Sequence, residues 1–302
     1  MERRLFRKPF CETLFLIPVF CLFLAAGLYA AEEAPPSSGN ILIFDEAFTV
    51  NVSGRYSIVS FADRMNTNYE SQTPWALGLG LRYKILSASF SLPLYKISGR
   101  KPFSTFDFEM NSYPGPFYYS LFCRRYRGFY QDADEQDVLD VDLRLFSAGI
   151  SGAWVVNSEG HSLGAAYNLS GRQKASSGSA LFGFGVFYTS VHSPDGRAEH
   201  YREKQHFVYF GPSAGYSHTF VFPHNMFLNL MAAAEMNAGF KTGSRTWHFM
   251  PQLMPRISFG YHHDSWSLNL VGNCRYLLIL RKADRPDGLL MSSMAITFSY
   301  RF

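Results

Sequence analysis

The chain alternates. From residue 48 to the end, apolar side chains recur at every second position and sustain no helical stripe, so the segment reads as a succession of half-buried strands. Over 48 to 59 one set is Phe48, Val50, Val52, Tyr56 and Ile58, and the other is Thr49, Asn51, Ser53, Arg55 and Ser57. Over 75 to 85, Trp75, Leu77, Leu79, Leu81, Tyr83 and Ile85 oppose Ala76, Gly78, Gly80, Arg82 and Lys84. The pattern continues with Phe106, Phe108 and Met110 against Asp107, Glu109 and Asn111, and with Val141, Leu143 and Leu145 against Asp142 and Arg144. It recurs in Leu163, Ala165, Tyr167 and Leu169 against Gly164, Asn168 and Ser170, and then through 226 to 235, 249 to 261 and 266 to 278.

A soluble sandwich would carry Lys and Glu on its polar face. Here that face is mostly Gly, Ala, Ser, Thr and Asn, which suits a crowded wet lumen, while the aromatic and aliphatic face suits lipid. Backbone groups in hydrocarbon must be paired, so such a sheet has to close. The expected fold class is all-β, a transmembrane antiparallel β-barrel.

Connectors come in two lengths. Tight ones fall at 85–86, 113–116, 157–160, 223–225 and 262–265, and longer polar ones at 62–74, 131–140, 192–205, 241–246 and 282–288. Short turns on one side and long loops on the other is the outer-membrane arrangement. Thirteen candidate strands can be counted; both termini on the inner side require an even number, and about twelve is expected. Counts made inward from the two ends collide around 172 to 205.

The barrel, 48 to 302, is preceded by two other segments. Residues 1 to 30 carry Arg3, Arg4, Arg7 and Lys8, then an apolar run from Leu14 ending in small residues near Ala30. That is the order of a cleaved signal peptide, and it is short and proline-broken for a membrane span. Residues 31 to 47 read as a flexible lead-in that opens on AEEAPPSSGN. Localisation in the cell outer membrane after export follows. Cys11 and Cys21 would leave with the leader, and Cys123 and Cys274 alone form no disulfide framework. The last residues alternate through Ile296, Phe298, Tyr300 and Phe302. This ending resembles the signal read by the barrel assembly machinery, an expected partner beside outer-membrane lipid.

Four stretches, GLGLRYKILSASFSLPL (78 to 94), FDFEMNSYPGPFYYSLFCRRYRGFYQ (106 to 131), SGRQKASSGSALFGFGVFYTS (170 to 190) and GPSAGYSHTFVFPHNMF (211 to 227), resemble an uncharacterised bacterial family, domain of unknown function four-four-two-one. The resemblance implies an outer-membrane barrel over most of 48 to 272. It implies no catalytic residue.

Charge narrows the function. The chain has 28 basic and 24 acidic residues and a net charge of +4, without the clustered basic excess that nucleic acid demands. By strand parity Arg55, Arg82, Lys84, Arg124, Arg144, Arg172, Arg256 and Arg275 face the lumen with Asp107, Glu109, Asp142 and Glu235. That bias would attract a small anionic solute if water fills the lumen, or the same side chains close it as paired networks. Arg82 and Lys84 are expected to reach over Ser87, Ser89 and Ser91 toward Asp107 and Glu109. Arg124, Arg125 and Arg127, among Tyr118, Tyr119, Tyr126, Phe129 and Tyr130, form a basic-aromatic patch suited to a membrane girdle with phosphate-pairing arginines.

Catalysis and cofactors are not expected. Ser217-His218, His192-Ser193 and His262-His263-Asp264 bring no nucleophile, base and orienting group together. His200 and His206 match no zinc spacing. Asp132, Asp134, Glu135, Asp137 and Asp140 lack the glycine and spacing of the best-known calcium loop. The reading is a narrow channel with anion preference; the alternative is a closed structural or surface-interaction barrel whose outer loops bind partners, with a lipid-modifying enzyme third.

Overall fold

A computed structural model of the chain describes residues 39–62, 67–71, 74–95, 104–133, 137–243, 246–279 and 287–302. The expected leader and residues 31–38 of the lead-in lie outside them, as do most of the 282–288 connector and the centre of the acidic 131–140 run. The strands are β1 (Ile41–Ile43), β2 (Phe48–Ala62), β3 (Asn68–Ser71), β4 (Trp75–Tyr83), β5 (Leu86–Tyr95), β6 (Ser104–Ser112), β7 (Phe117–Ala133) and β8 (Asp137–Val155). They continue with β9 (Gly171–Gln173), β10 (Ser177–His192), β11 (Gln205–Phe222), β12 (Met226–Lys241), β13 (Trp247–His262), β14 (Trp266–Ile279) and β15 (Asp287–Arg301).

Twelve of these form a closed antiparallel barrel. β2 pairs with β4, and neighbours follow in chain order through β5, β6, β7, β8 and β10 to β15, which returns to β2 with Phe298 opposite Val52. Closure leaves no open edge in hydrocarbon. The outward set of β2 and β4 is the apolar set of the sequence, with Leu79 51% exposed, and the inward set holds Thr49, Asn51, Arg55 and Arg82. Cys123 and Cys274 are unbridged.

The turns are made from residues that accept a left-handed backbone. Lys84 (φ 49°) opens the β4–β5 turn, and His224 and Asn225 (φ 61° and 60°) close β11 to β12. Gly128, at φ 88°, sits in the bulge where the β7–β8 register shifts; a side chain there would be strained.

Two features depart from the strand count. The 163–170 stretch, expected as a strand, is instead a π-helical turn over Gly164–Asn168 inside the β8–β10 connector. Its alternation is real but has another cause: Leu163, Ala165, Ala166 and Leu169 are all buried, because the segment is enclosed by the barrel. Removing it takes thirteen candidates to twelve and resolves the collision around 172 to 205. The rest of the connector, β9, pairs with β1 from the lead-in, Leu42 opposite Arg172, so that lead-in is partly structured.

The barrel also changes circumference. β3 pairs with β2 at 60–62 and with β7 at 129–131, passing over β4, β5 and β6. The short-turn end, called the inner end from the expected orientation, thus has all twelve strands around it, whereas the long-connector end, called the outer end, is ringed by β2, β3, β7, β8 and β10 to β15, which is ten. Interior volume falls with strand number.

Candidate functional site

The interior has two regions. Toward the outer end it is a hydrophobic core, containing Val59, Phe61, Tyr69, Phe122, Tyr126, Phe129, Leu143, Leu145, Phe187, Tyr201, Phe207, Tyr209, Met250, Leu277 and Leu289. Phe129, Leu143 and Met250 have no exposed surface. Phe187 stacks on Tyr209 with centroids 5.2 Å apart and leans on Phe122 at 6.2 Å. Inward-facing glycines make room: a Cβ on Gly149 or on Gly185 would lie 2.4 Å from the Phe187 ring. Thus aromatic and aliphatic side chains pack against one another inside the narrowed end.

The interior also holds a polar region that meets this core side by side, since Arg124 lies one inward-facing position nearer the outer end of β7 than Phe122, and one chain of contacts crosses it. Arg55 donates to Asp107 (Nη1 to Oδ2, 2.8 Å), and Arg124 donates to Asp107 (3.1 Å) and to Glu109 (3.1 Å). Asn111 donates to Glu109 at 3.0 Å, and the Tyr118 hydroxyl donates to Asn111 at 3.2 Å. Arg256 approaches the Tyr118 oxygen at 3.4 Å and lies 4.2 Å over the Tyr167 ring. Tyr167, from the π-helical turn, donates to Asn229 at 2.6 Å, and Asn229 donates to Ser217 and Thr219. The turn is thereby tied to both walls, and Ser258 adds a hydrogen bond to the Ala166 carbonyl at 2.8 Å.

The sequence-derived lumenal residues divide by position. Arg55, Asp107, Glu109, Arg124 and Arg256 share this chain of contacts. Glu235 accepts from Gln252 at 2.8 Å, and Arg275 lies 4.4 Å over the Phe122 ring, where the polar and apolar regions meet. Arg82 is buried but turns to Thr49 and to the Lys84 carbonyl (2.8 Å) rather than to the carboxylates. The register explains why: Arg82 is level with Ser87 and Asn111, whereas Asp107 is level with Ser91 and Gly78. Lys84 lies in the β4–β5 turn beyond the strand, and Arg172 lies on β9.

Asp142 and Arg144 face the other way. On β8 the inward set is Val141, Leu143 and Leu145, and the outward Asp142 receives both Arg127 (3.0 and 3.1 Å) and Arg144 (3.3 and 2.9 Å). The physical reason is that parity assigns apolar residues to lipid only where lipid surrounds the wall. Where the interior is itself the apolar core, the polar set of the strand takes the outside and the alternation inverts.

Arg301 was not among the expected interior residues, although parity between Tyr300 and Phe302 places it there. Its guanidinium donates to the carbonyls of His263, Asp264 (3.1 Å) and Trp266 (2.9 Å) and to Ser267 Oγ (2.7 Å), and it lies 3.9 Å over Phe44. Ile296, Phe298, Tyr300 and Phe302 form the outward face of the same strand. Among the described residues no group of three or more His, Cys, Asp or Glu could hold a metal ion.

Solved structures similar to this chain are outer-membrane barrels. The β-domain of the Bordetella autotransporter BrkA is 10% identical over 85% of this chain and 100% of its own, with a TM-score of 0.43. Neisserial surface protein A is 10% identical over 85% and 97%, with a TM-score of 0.29. An anion-selective porin from Comamonas acidovorans is 10% identical over 84% and 100%, with a TM-score of 0.25. No curated protein matches the chain. The family model described as Domain of unknown function (DUF4421) matches residues 43–302, and the chain belongs to that family.

Proposed function

We propose that this protein acts as a closed, non-catalytic outer-membrane barrel that presents its outer rim and loops, rather than as a diffusion pore. The observation that supports this most directly is the apolar core at the narrowed outer end, where Phe122, Phe187, Phe207 and Tyr209 occupy the space through which a solute would pass. Side chains packed at interior density leave no room for hydrated ions. The π-helical turn, fixed through Tyr167 and Ser258, gives a second closure at the inner end.

The anion-channel reading draws on the charge inside: Arg55, Arg82, Arg124, Arg256, Arg275 and Arg301 outnumber Asp107, Glu109 and Glu235. Five of those arginines have a bonding role instead of a free field: Arg55 and Arg124 hold carboxylates, Arg82 and Arg301 hold carbonyls, and Arg256 meets the Tyr118 hydroxyl. Swelling of liposomes carrying the refolded barrel separates the readings. No swelling in small sugars or chloride salts is expected, and swelling in chloride salts would favour the channel.

A further inference from the structure

From the arrangement of Arg125, Arg127 and Arg144 we infer a binding site for a phosphate group of an outer-leaflet glycolipid on the outside of the β7–β8 hairpin. The outward column of β7 runs Phe117, Tyr119, Leu121, Cys123 and then Arg125 and Arg127. That of β8, read in the same direction, runs Trp154, Gly152, Ile150, Ala148, Phe146 and then Arg144 and Asp142. Both columns change from apolar to charged at one height, since Arg125 is opposite Phe146 and Arg127 is opposite Arg144. That height is the outer edge of the hydrocarbon, where lipid phosphates lie. Aromatic side chains flank it, with Phe146 against Tyr188 at 5.9 Å and the Tyr188 hydroxyl 2.6 Å from His206 Nδ1.

Two guanidinium groups directly opposite each other would repel. Here Asp142 holds them, each arginine using Nε and Nη2 on the carboxylate, so both forks are fixed in orientation with Nη1 left over. Asp142 is itself braced by Asp195, whose Oδ2 accepts from the Asp142 backbone N–H at 3.0 Å. Asp195 has its own cation in Arg197 at 4.0 Å, so Arg125, Arg127 and Arg144 with Asp142 leave two net positive charges, and Arg125 is exposed on the outward side. Oriented, desolvation-tolerant guanidinium donors match phosphate better than ammonium groups do. The site is independent of whether the lumen conducts.

The test is native mass spectrometry of the refolded barrel with a bis-phosphorylated lipid A, beside the same glycolipid with its phosphates removed. Wild type should retain the phosphorylated form at least tenfold better. Arg125→Gln/Arg144→Gln, which leaves Arg127 on Asp142, should abolish that preference, and Arg125→Gln alone, a change at an exposed position, should lower it at least threefold with unaltered heat-modifiable mobility. Equal retention of both glycolipids, or unchanged preference in both variants, would overturn the proposal. Displacement of the lipid by millimolar inorganic phosphate would also overturn it, by showing a free-phosphate site.

Discussion

Arg124 and Asp107 stand directly opposite each other across the β6–β7 ladder, Nε to Oδ1 at 3.1 Å, and Arg55 reaches the other oxygen of the same carboxylate. One interior anion therefore holds two interior cations from strands on either side. Asp107→Asn should lower the temperature of heat-modifiable unfolding, with a cost of about 3 kcal/mol, because breaking an enclosed pair leaves unpaired charge behind. Asp142→Asn, whose arginines reach water, should cost about 1 kcal/mol or less. Equal effects would remove the distinction between interior and rim.

The outer-end core should behave as a protein core. Phe187→Ala is expected to destabilise the barrel by about 3 to 5 kcal/mol, read from its thermal midpoint in detergent. Gly149→Val should also destabilise, since its first carbon already meets the Phe187 ring at 2.4 Å. A neutral Phe187→Ala would mean that the ring is not packed.

Alternation made the barrel legible wherever the wall meets lipid, as in Val50, Val52 and Tyr56 outside and Asn51, Ser53 and Arg55 inside. It misled at Leu143, which alternates identically but faces inward, because period two reports two faces and not which one is wet. The 163–170 stretch misled for a related reason: a fully enclosed segment buries consecutive residues, here Leu163 to Ala166, so its apolar positions report enclosure and not a strand. Nor could spacing reveal that Asp107 would meet Arg55 and Arg124 rather than Arg82, since partners across strands depend on register, and register on the Lys84 turn and the β5–β6 pairing.

His161, in the β8–β10 connector, is 1% exposed, and burial lowers its pKa from 6.5 to about 4. Above about pH 6.5 the ring is neutral whether the connector is docked or released, and it contributes no pH dependence. As pH falls from 6.5 to about 4 only the released form gains a proton, so docking weakens, and the loss levels off below that. The midpoint of wild type should therefore drop between pH 7.5 and 4.5 more than that of His161→Leu. Identical drops would exonerate the ring.

At the C-terminus, the outward Phe302 and the inward Arg301 should separate two roles. Deleting Phe302 is proposed to reduce outer-membrane assembly without reducing export, measured by heat-modifiable barrel yield against total periplasmic and membrane protein. Arg301→Gln should instead lower the melting temperature of the assembled barrel, because it withdraws donors from the carbonyls of His263, Asp264 and Trp266. Unchanged yield without Phe302 would make the terminal aromatic incidental to assembly.

Closure of the lumen is tested most directly by planar-bilayer recording of the refolded wild-type barrel in asymmetric potassium chloride. The packed core of Phe122, Phe187, Phe207 and Tyr209 predicts a silent membrane at all moderate voltages, with insertion verified by heat-modifiable mobility of the recovered protein. Discrete, reproducible conductance steps with a reversal potential favouring chloride would contradict the closed barrel and restore the anion channel.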